Sequence, residues 1–261
     1  MGESYCCEKL SVAKQSFPKG ALSECGINRL VMHRADKIFV GGICICRFPL
    51  LPLHLLAQQV LHATELKYYD GLEFERRKKS YLLGRYAAKK AISVLSDIKP
   101  HDVNIEYGVF NYPIISSSCG LDKVEISISH SSEMGAAIAY PATHPMGIDI
   151  ERIDPSRTSV IEKELTPREI CLLKELDGSK EQGFLMTLAW TIKESLSKVL
   201  KTGMMTSFRV YEIMDIISYE TSYISYYKYF GQYKTVSIKI EDYICSITCP
   251  LKTVLEIKLL G

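Results

Sequence analysis

The chain has 261 residues, 47% of them hydrophobic and 24% charged, and a formal net charge of +2. That make-up belongs to a globular chain long enough for one large domain or two smaller ones, and the near-zero charge excludes a global electrostatic field as the source of any binding. Nine cysteines, an odd number with no C-x-x-C and no histidine pair at zinc-ligand spacing, fit reduced thiols in a cytoplasm better than a disulfide framework or a zinc site.

Residues 1 to about 35 show no periodicity, and the first twenty carry no apolar core of a signal peptide, so an irregular extension is expected there. The most apolar stretch, "IFVGGICICRFPLLPLHLLA", is interrupted by Arg47 and two prolines. It reads as a strand, a turn and a helix start rather than a membrane span. A soluble cytoplasmic protein is the expectation. "KIFVGGICICRF" (37–48) is a strand rich in β-branched residues, and "LHLLAQQVLHA" a short helix.

Residues 71–97, "GLEFERRKKSYLLGRYAAKKAISVLSD", contain a long amphipathic helix. Tyr81, Leu82, Tyr86, Ile92 and Leu95 fill much of its apolar side, and the remainder is strongly basic through Arg76, Arg77, Lys78, Lys79, Arg85, Lys89 and Lys90. A solvated charged face is the ordinary outcome of such a run. Three short strands follow in "VNIEYGVF", "VEISISH" (124–130) and "GAAIAY" (135–140), then a turn at "PATHP".

In "MGIDIERID" (146–154) Met146, Ile148 and Ile150 share one face of a strand. Asp149 and Glu151 project from the other, about 7 Å apart along it. Carboxylates that close repel unless a cation sits between them, although the wet face of a surface strand would read the same way. Beyond them, "TPREICLLKELDG" opens with Thr166 as N-cap, Pro167 at the first helical position and Glu169 closing a capping box, with Gly178 as its stop.

"GFLMTLAWTIKESLSKVLKTG" is a longer helix ending near Gly203. Leu185, Leu188, Ala189, Ile192, Leu196 and Val199 form one stripe; Trp190, Glu194, Lys198 and Lys201 form another. By spacing alone the second stripe is an exposed face with a Glu–Lys pair. Taken with Asp149 and Glu151, it makes an all-oxygen donor set with a lysine beside it, which suits magnesium and a phosphate-bearing substrate. "KTVSIKIEDYICSITCP" and "TVLEIKLL" are the closing strands. Three segments result: an extension over 1–35, an N-terminal half over 36–142 with the basic helix, and a C-terminal half over 143–261 with the acidic residues. No sequence repeat is visible.

"ISISHSS", "GIDIERI" and "WTIKESLSKVLKTG" occur in that order, and together they resemble the signatures of the phosphopantetheinyl transferases of the surfactin-synthetase-activating type. The basic stretch "ELKYYDGLEFERRKKSYLLGRYAAKK" resembles that family's upstream helix, so the likeness runs from about residue 37 to the end. The resemblance implies an α/β (α+β) fold of two halves related by a pseudo-two-fold. The implied activity moves the 4'-phosphopantetheine arm of coenzyme A onto a serine of an acyl or peptidyl carrier protein, with magnesium and with release of 3',5'-ADP.

Carried over residue by residue, Asp149, Glu151 and Glu194 would hold magnesium. Glu194 would also be the base toward the carrier serine, directly or through a bound water, and Lys198 would stabilise charge on the phosphates. Ser129, His130 and Arg85 would contact coenzyme A, with Arg77, Lys78 and Lys193 as further contacts. Coenzyme A and the carrier protein are the implied partners, nucleic acid and membrane are not, and a monomer is implied. Two positions depart from the family: Tyr68 and Tyr112 stand where basic residues usually touch coenzyme A. A non-catalytic coenzyme A-binding module and an unrelated magnesium-dependent phosphotransferase or nuclease are the competing readings. The near-neutral charge and the lack of interleaved aromatic and basic residues disfavour a nuclease.

Overall fold

The computed structural model describes residues 26–48, 51–176, 181–219 and 221–259. The expectations for residues 1–25 and the helix stop at Gly178 lie outside the described residues. Strands β1 (Gly26–Arg34), β2 (Lys37–Arg47), β6 (Met134–Pro141), β5 (Val124–Ser131) and β12 (Val254–Leu259) form one antiparallel sheet in the order β12-β1-β2-β6-β5. Strands β7 (Gly147–Arg152), β11 (Tyr243–Pro250), β10 (Tyr233–Ile240), β9 (Tyr223–Tyr227) and β8 (Ile213–Ser218) form a second, in the order β7-β11-β10-β9-β8. A small ribbon pairs β3 (Ile105–Tyr107) with β4 (Pro113–Ile115).

Two expectations about domain limits are corrected. Residues 26–34 are not part of an extension: β1 pairs along its whole length with β2, and Leu30 and Met32 are fully buried. The C-terminal half does not keep its own tail, because β12 pairs with β1 in the first sheet. Leu255 and Ile257 alternate inward along it and enter the core shared by both sheets.

That shared core joins Leu30, Ile43 and Ile138 of the first sheet to Ile148, Val236 and Ile247 of the second. Helix α3 (Glu75–Ile92) covers the other face of the first sheet, and α6 (Gln182–Val199) that of the second. Helices α1 (Leu53–Val60) and α2 (Ala63–Asp70) lean on α3, while α4 (Thr158–Glu162) and α5 (Pro167–Leu176) belong to the second half.

Each half runs strand, helices, ribbon, hairpin, and equivalent contacts recur at near-constant spacing. A Cβ on Gly42 would meet the Ala91 carbonyl oxygen of α3 at 2.0 Å, and one on Gly147 would meet that of Ser195 in α6 at 2.2 Å. Strand and helix backbones therefore touch in both halves, which only glycine permits. Glu65 holds Lys89 and accepts from the Ile105 amide at 3.2 Å; Glu169 holds Lys193 and accepts from the Ile213 amide at 2.9 Å. The repeat escaped sequence inspection because it survives in a few buried contacts, not in runs of identical residues.

Helix α3 keeps Arg76, Arg77 and Lys79 exposed and departs from the expected solvated basic face at two positions. Arg85 and Lys89 are buried, and Glu65 pairs with both. A buried cation requires such a partner, and the partner comes from a different helix.

Candidate active site

The edges of the two sheets meet where β5 runs beside β7, and alternate serines of β5 bridge them. The Ile148 amide donates to Ser127 Oγ at 3.1 Å, Ser129 Oγ donates to Asp149 Oδ1 at 2.7 Å, and Ser131 Oγ donates to Glu151 Oε2 at 2.7 Å. The alternation in "SISHS" is what turns all three hydroxyls to one side. The touching backbones at Gly147 and Ser195 bring Asp149 against α6.

On α6, Lys198 Nζ donates to Asp149 Oδ1 at 2.7 Å and lies 3.7 Å from Glu194 Oε1, one helical turn back. Burial pulls the Lys198 ammonium down, but Asp149 and Glu194 more than offset that and hold it above its ordinary value. Burial, then the charge of Asp149, pushes Glu194 up to about 7, the range in which a carboxylate serves as a general base near neutrality. Glu151 is raised as well, by burial and by Asp149, although Ser131 and Arg157 oppose the shift. Arg157 Nη1 donates to Glu151 Oε2 at 3.0 Å and its guanidinium lies 5.5 Å from the Trp190 ring centre.

Ser129, His130, Arg85, Glu194 and Lys198 line one cleft of about 270 Å³, together with Ser80, Tyr107 and Asn111. The Ser80 hydroxyl, which sequence reasoning passed over, is 3.1 Å from His130 Nε2. Arg85 sits between the rings of Tyr81 and Tyr107, at 4.7 and 4.9 Å, with its Nε 3.0 Å from Glu65. Glu151 opens instead onto an adjoining groove shared with Ser131 and Arg157.

Three expected contacts are not brought to the cleft. Lys193 is wholly buried, donating to Glu169 Oε2 at 2.9 Å and to the Phe208 carbonyl at 3.0 Å; it ties α6 to α5. Arg77 is exposed, and Lys78 lies 5.6 Å over the Tyr69 ring. Their neighbours Arg76 and Lys79 are the ones that line the groove, because docking fixes the rotation of α3. Tyr68 is exposed against Tyr81, whereas Tyr112 is half-buried with Lys201 Nζ 5.1 Å from its ring centre.

Among the described residues no group of three His, Cys, Asp or Glu side chains stands ready to hold a metal ion. Lys198 takes one Asp149 oxygen and Arg157 one Glu151 oxygen. The fit to a divalent cation is one of chemistry. The donors are all oxygens, and the second Asp149 oxygen, Oδ2, is buried without a hydrogen-bond partner.

Residues 145–248 match the family model of the 4'-phosphopantetheinyl transferase superfamily. The chain is 27% identical over 123 residues to "4'-phosphopantetheinyl transferase gsp" of Aneurinibacillus migulanus, a match covering 47% of this chain and 48% of that protein. It is 33% identical over 81 residues to a "Holo-[acyl-carrier-protein] synthase" of Lactococcus lactis, covering 29% of this chain and 68% of that protein. A protein of the same name from Streptococcus agalactiae is 33% identical over 86 residues, covering 31% and 72%. The chain thus spans about half the length of the Aneurinibacillus transferase and about two thirds or more of the two synthases. The matched segment holds Asp149, Glu151, Glu194 and Lys198, and with it the chain belongs to the 4'-phosphopantetheinyl transferase superfamily.

Proposed function

We propose that the protein transfers the 4'-phosphopantetheine group of coenzyme A to the hydroxyl of a serine in an acyl or peptidyl carrier protein. The observation that carries this reading is Glu194, raised to about 7 beside a fixed Lys198 in a cleft at the junction of two sheets. Glu194 takes the serine proton as the serine oxygen bonds to the pantetheine-bearing phosphorus. The bond from that phosphorus to the bridging oxygen breaks, and 3',5'-ADP leaves. Lys198 faces the phosphates and offsets charge that grows as the anhydride opens. His130, with Ser80 beside it, and Arg85 line the same cleft and would orient the donor.

Asp149, Glu151 and Glu194 would hold magnesium, which when bound supplies a positive charge against the pyrophosphate. Asp149 carries this role through its unpartnered Oδ2. A non-catalytic coenzyme A binder is the weaker reading, since binding alone requires no carboxylate poised near neutrality.

The test is intact-mass analysis of apo carrier proteins after incubation with the protein, coenzyme A and magnesium. One phosphopantetheine should be added, EDTA should stop the reaction, and restored magnesium should revive it. Asp149→Ala and Glu194→Ala should each abolish transfer while remaining folded. Transfer at the normal rate by Asp149→Ala would sink the assignment of the acidic site.

A further inference from the structure

Helix α6 rests on its sheet through hydroxyl groups, whereas α3 rests on its own through alkyl groups. Across the second sheet from Gly147 the register places Thr248 and then Thr235; from Asp149 it places Ser246 and then Ser237. Thr191 and Ser195 of α6 bond to this surface, and all six hydroxyl side chains are buried. From Gly42, the glycine with the same part in the first half, the equivalent positions are Ala139 and Ile126. From Cys44 they are Ala137 and Ile128, and the helix offers Ala87 and Ala91. None of these carries a hydroxyl.

Each hydroxyl has one proton to give, so the direction of the hydrogen bonds can be followed. Ser195 Oγ and the Tyr227 hydroxyl both donate to the Ile192 carbonyl of α6, each at 2.9 Å. Thr248, 2.7 Å from Ser195, therefore donates to it. The single Thr235 proton is left for Thr248, at 2.6 Å, or for the adjoining Tyr227 hydroxyl. A second series runs from Ser237 through Ser246 and Thr191 to the Leu188 carbonyl. Both series start in the sheet and end on backbone carbonyls of α6.

Burying these hydroxyls adds little stability, because each exchanges water for a partner of similar strength. What the hydrogen bonds add is direction. Alkyl contacts tolerate a helix that slides along its axis, whereas bonds of 2.7 and 2.9 Å hold it in one place. Glu194 immediately precedes the anchored Ser195, and Lys198 follows within the same turn.

We propose that Tyr227 and Thr248 are positioning residues, whose hydroxyls hold α6 at the axial setting that places Glu194 and Lys198 against Asp149. Helix α3 carries neither the base nor its lysine, and alkyl packing suffices there. The effect on turnover rests on the transferase reading; the anchoring of α6 rests on the hydroxyls.

The test compares Thr248→Val, which keeps the side-chain volume and removes the hydroxyl, with Thr248→Ser, which keeps the hydroxyl and removes a methyl. Tyr227→Phe is the second hydroxyl deletion. Val236→Ala, in the shared core on the opposite face of β10, controls for lost packing. Transfer to an apo-acyl carrier protein is followed by intact mass, below the melting temperature of every variant. In T248V and Y227F kcat should fall about tenfold, while KM for coenzyme A stays within about twofold of wild type. The donor's contacts at Arg85 and His130 come from other elements, α3 and β5. T248S and V236A should keep the wild-type kcat.

Trp190, the single tryptophan, lies on α6 one turn before Glu194 and stacks on Phe208 at 4.6 Å. A slip of α6 moves it against that ring, so its emission should shift to longer wavelength in T248V and Y227F but not in T248S or V236A. Unchanged kcat in both hydroxyl deletions, an equal fall in T248S or V236A, or a rise in KM in place of the fall in kcat would each overturn the proposal. So would a Trp190 emission indifferent to both deletions. Should one deletion fail to fold, the other decides. A wild type that transfers nothing to any apo carrier would sink the transferase reading, and the emission would then decide by itself whether the hydroxyls anchor α6.

Discussion

Lys198 Nζ donates to Asp149 Oδ1 across the junction between α6 and β7, at 2.7 Å, while the other oxygen of Asp149 is buried and unpaired. One lysine thus neutralises the most enclosed acid of the site and also faces the cleft. The lysine proposed to act on the phosphates is therefore also a structural one.

Replacing Lys198 by methionine leaves the Asp149 carboxylate enclosed, with Ser129 as its remaining hydrogen-bond donor. Urea denaturation should show a loss of about 3 kcal/mol, the usual consequence of stripping a buried charge of its partner. Adding Asp149→Asn to that variant should recover most of the loss. An equally stable single variant would reject the pairing as a stabilising element.

Glu194 gives a pH dependence with a definite sign. Its folded value of about 7 lies above the ordinary 4.5, so the folded protein keeps a proton that the unfolded chain releases. Stability is therefore highest below about pH 4.5 with respect to this group, falls as pH rises toward 7, and is level beyond. The fall should be at most about 3 kcal/mol. The measurement is denaturation across that range in EDTA, since a bound cation would favour the ionised form. Glu194→Gln should flatten the curve, and an unchanged slope would show that another group titrates.

Lys193→Met should destabilise the protein by about 3–5 kcal/mol, because Glu169 is left buried among backbone amides without its cation. The folded variant should keep its Michaelis constant for coenzyme A. A selective rise in that constant would restore the coenzyme A contact that its burial argues against.

Lys201 adopts a left-handed backbone, with φ of 56°, and reaches Glu125 at 2.6 Å. Lys201→Gly removes both the strain and the pair, whereas Lys201→Ala removes the pair alone. The glycine variant should exceed the alanine variant by about 1 kcal/mol in thermal or urea unfolding. Equal stabilities would mean that the backbone there is relaxed.

Much of the site is written in short-range pattern. The period of two in "GIDIER" turns Asp149 and Glu151 away from Ile148 and Ile150, and the one-turn spacing of Glu194 and Lys198 sets them side by side on α6. The capping box at Thr166 and Glu169 forms as expected, with the Thr166 amide donating to Glu169 at 2.7 Å. Such features depend on neighbours a few residues apart, so the chain alone determines them.

Tertiary structure decided the rest. Nothing local distinguishes Lys193 and Lys89, which are buried, from Lys79, which faces a groove; the difference lies in Glu169 and Glu65, contributed by other helices. Likewise β12 reads as a strand in the sequence, but its place beside β1 follows from which sheet edge lies open to it. The rotation of α3, and with it the choice of Arg76 over Arg77 at the groove, is set by how Leu83, Ala87 and Ala91 pack on the first sheet. Partners distant in sequence fix burial, pairing and helix rotation, and those three determined which of the legible charges became the site.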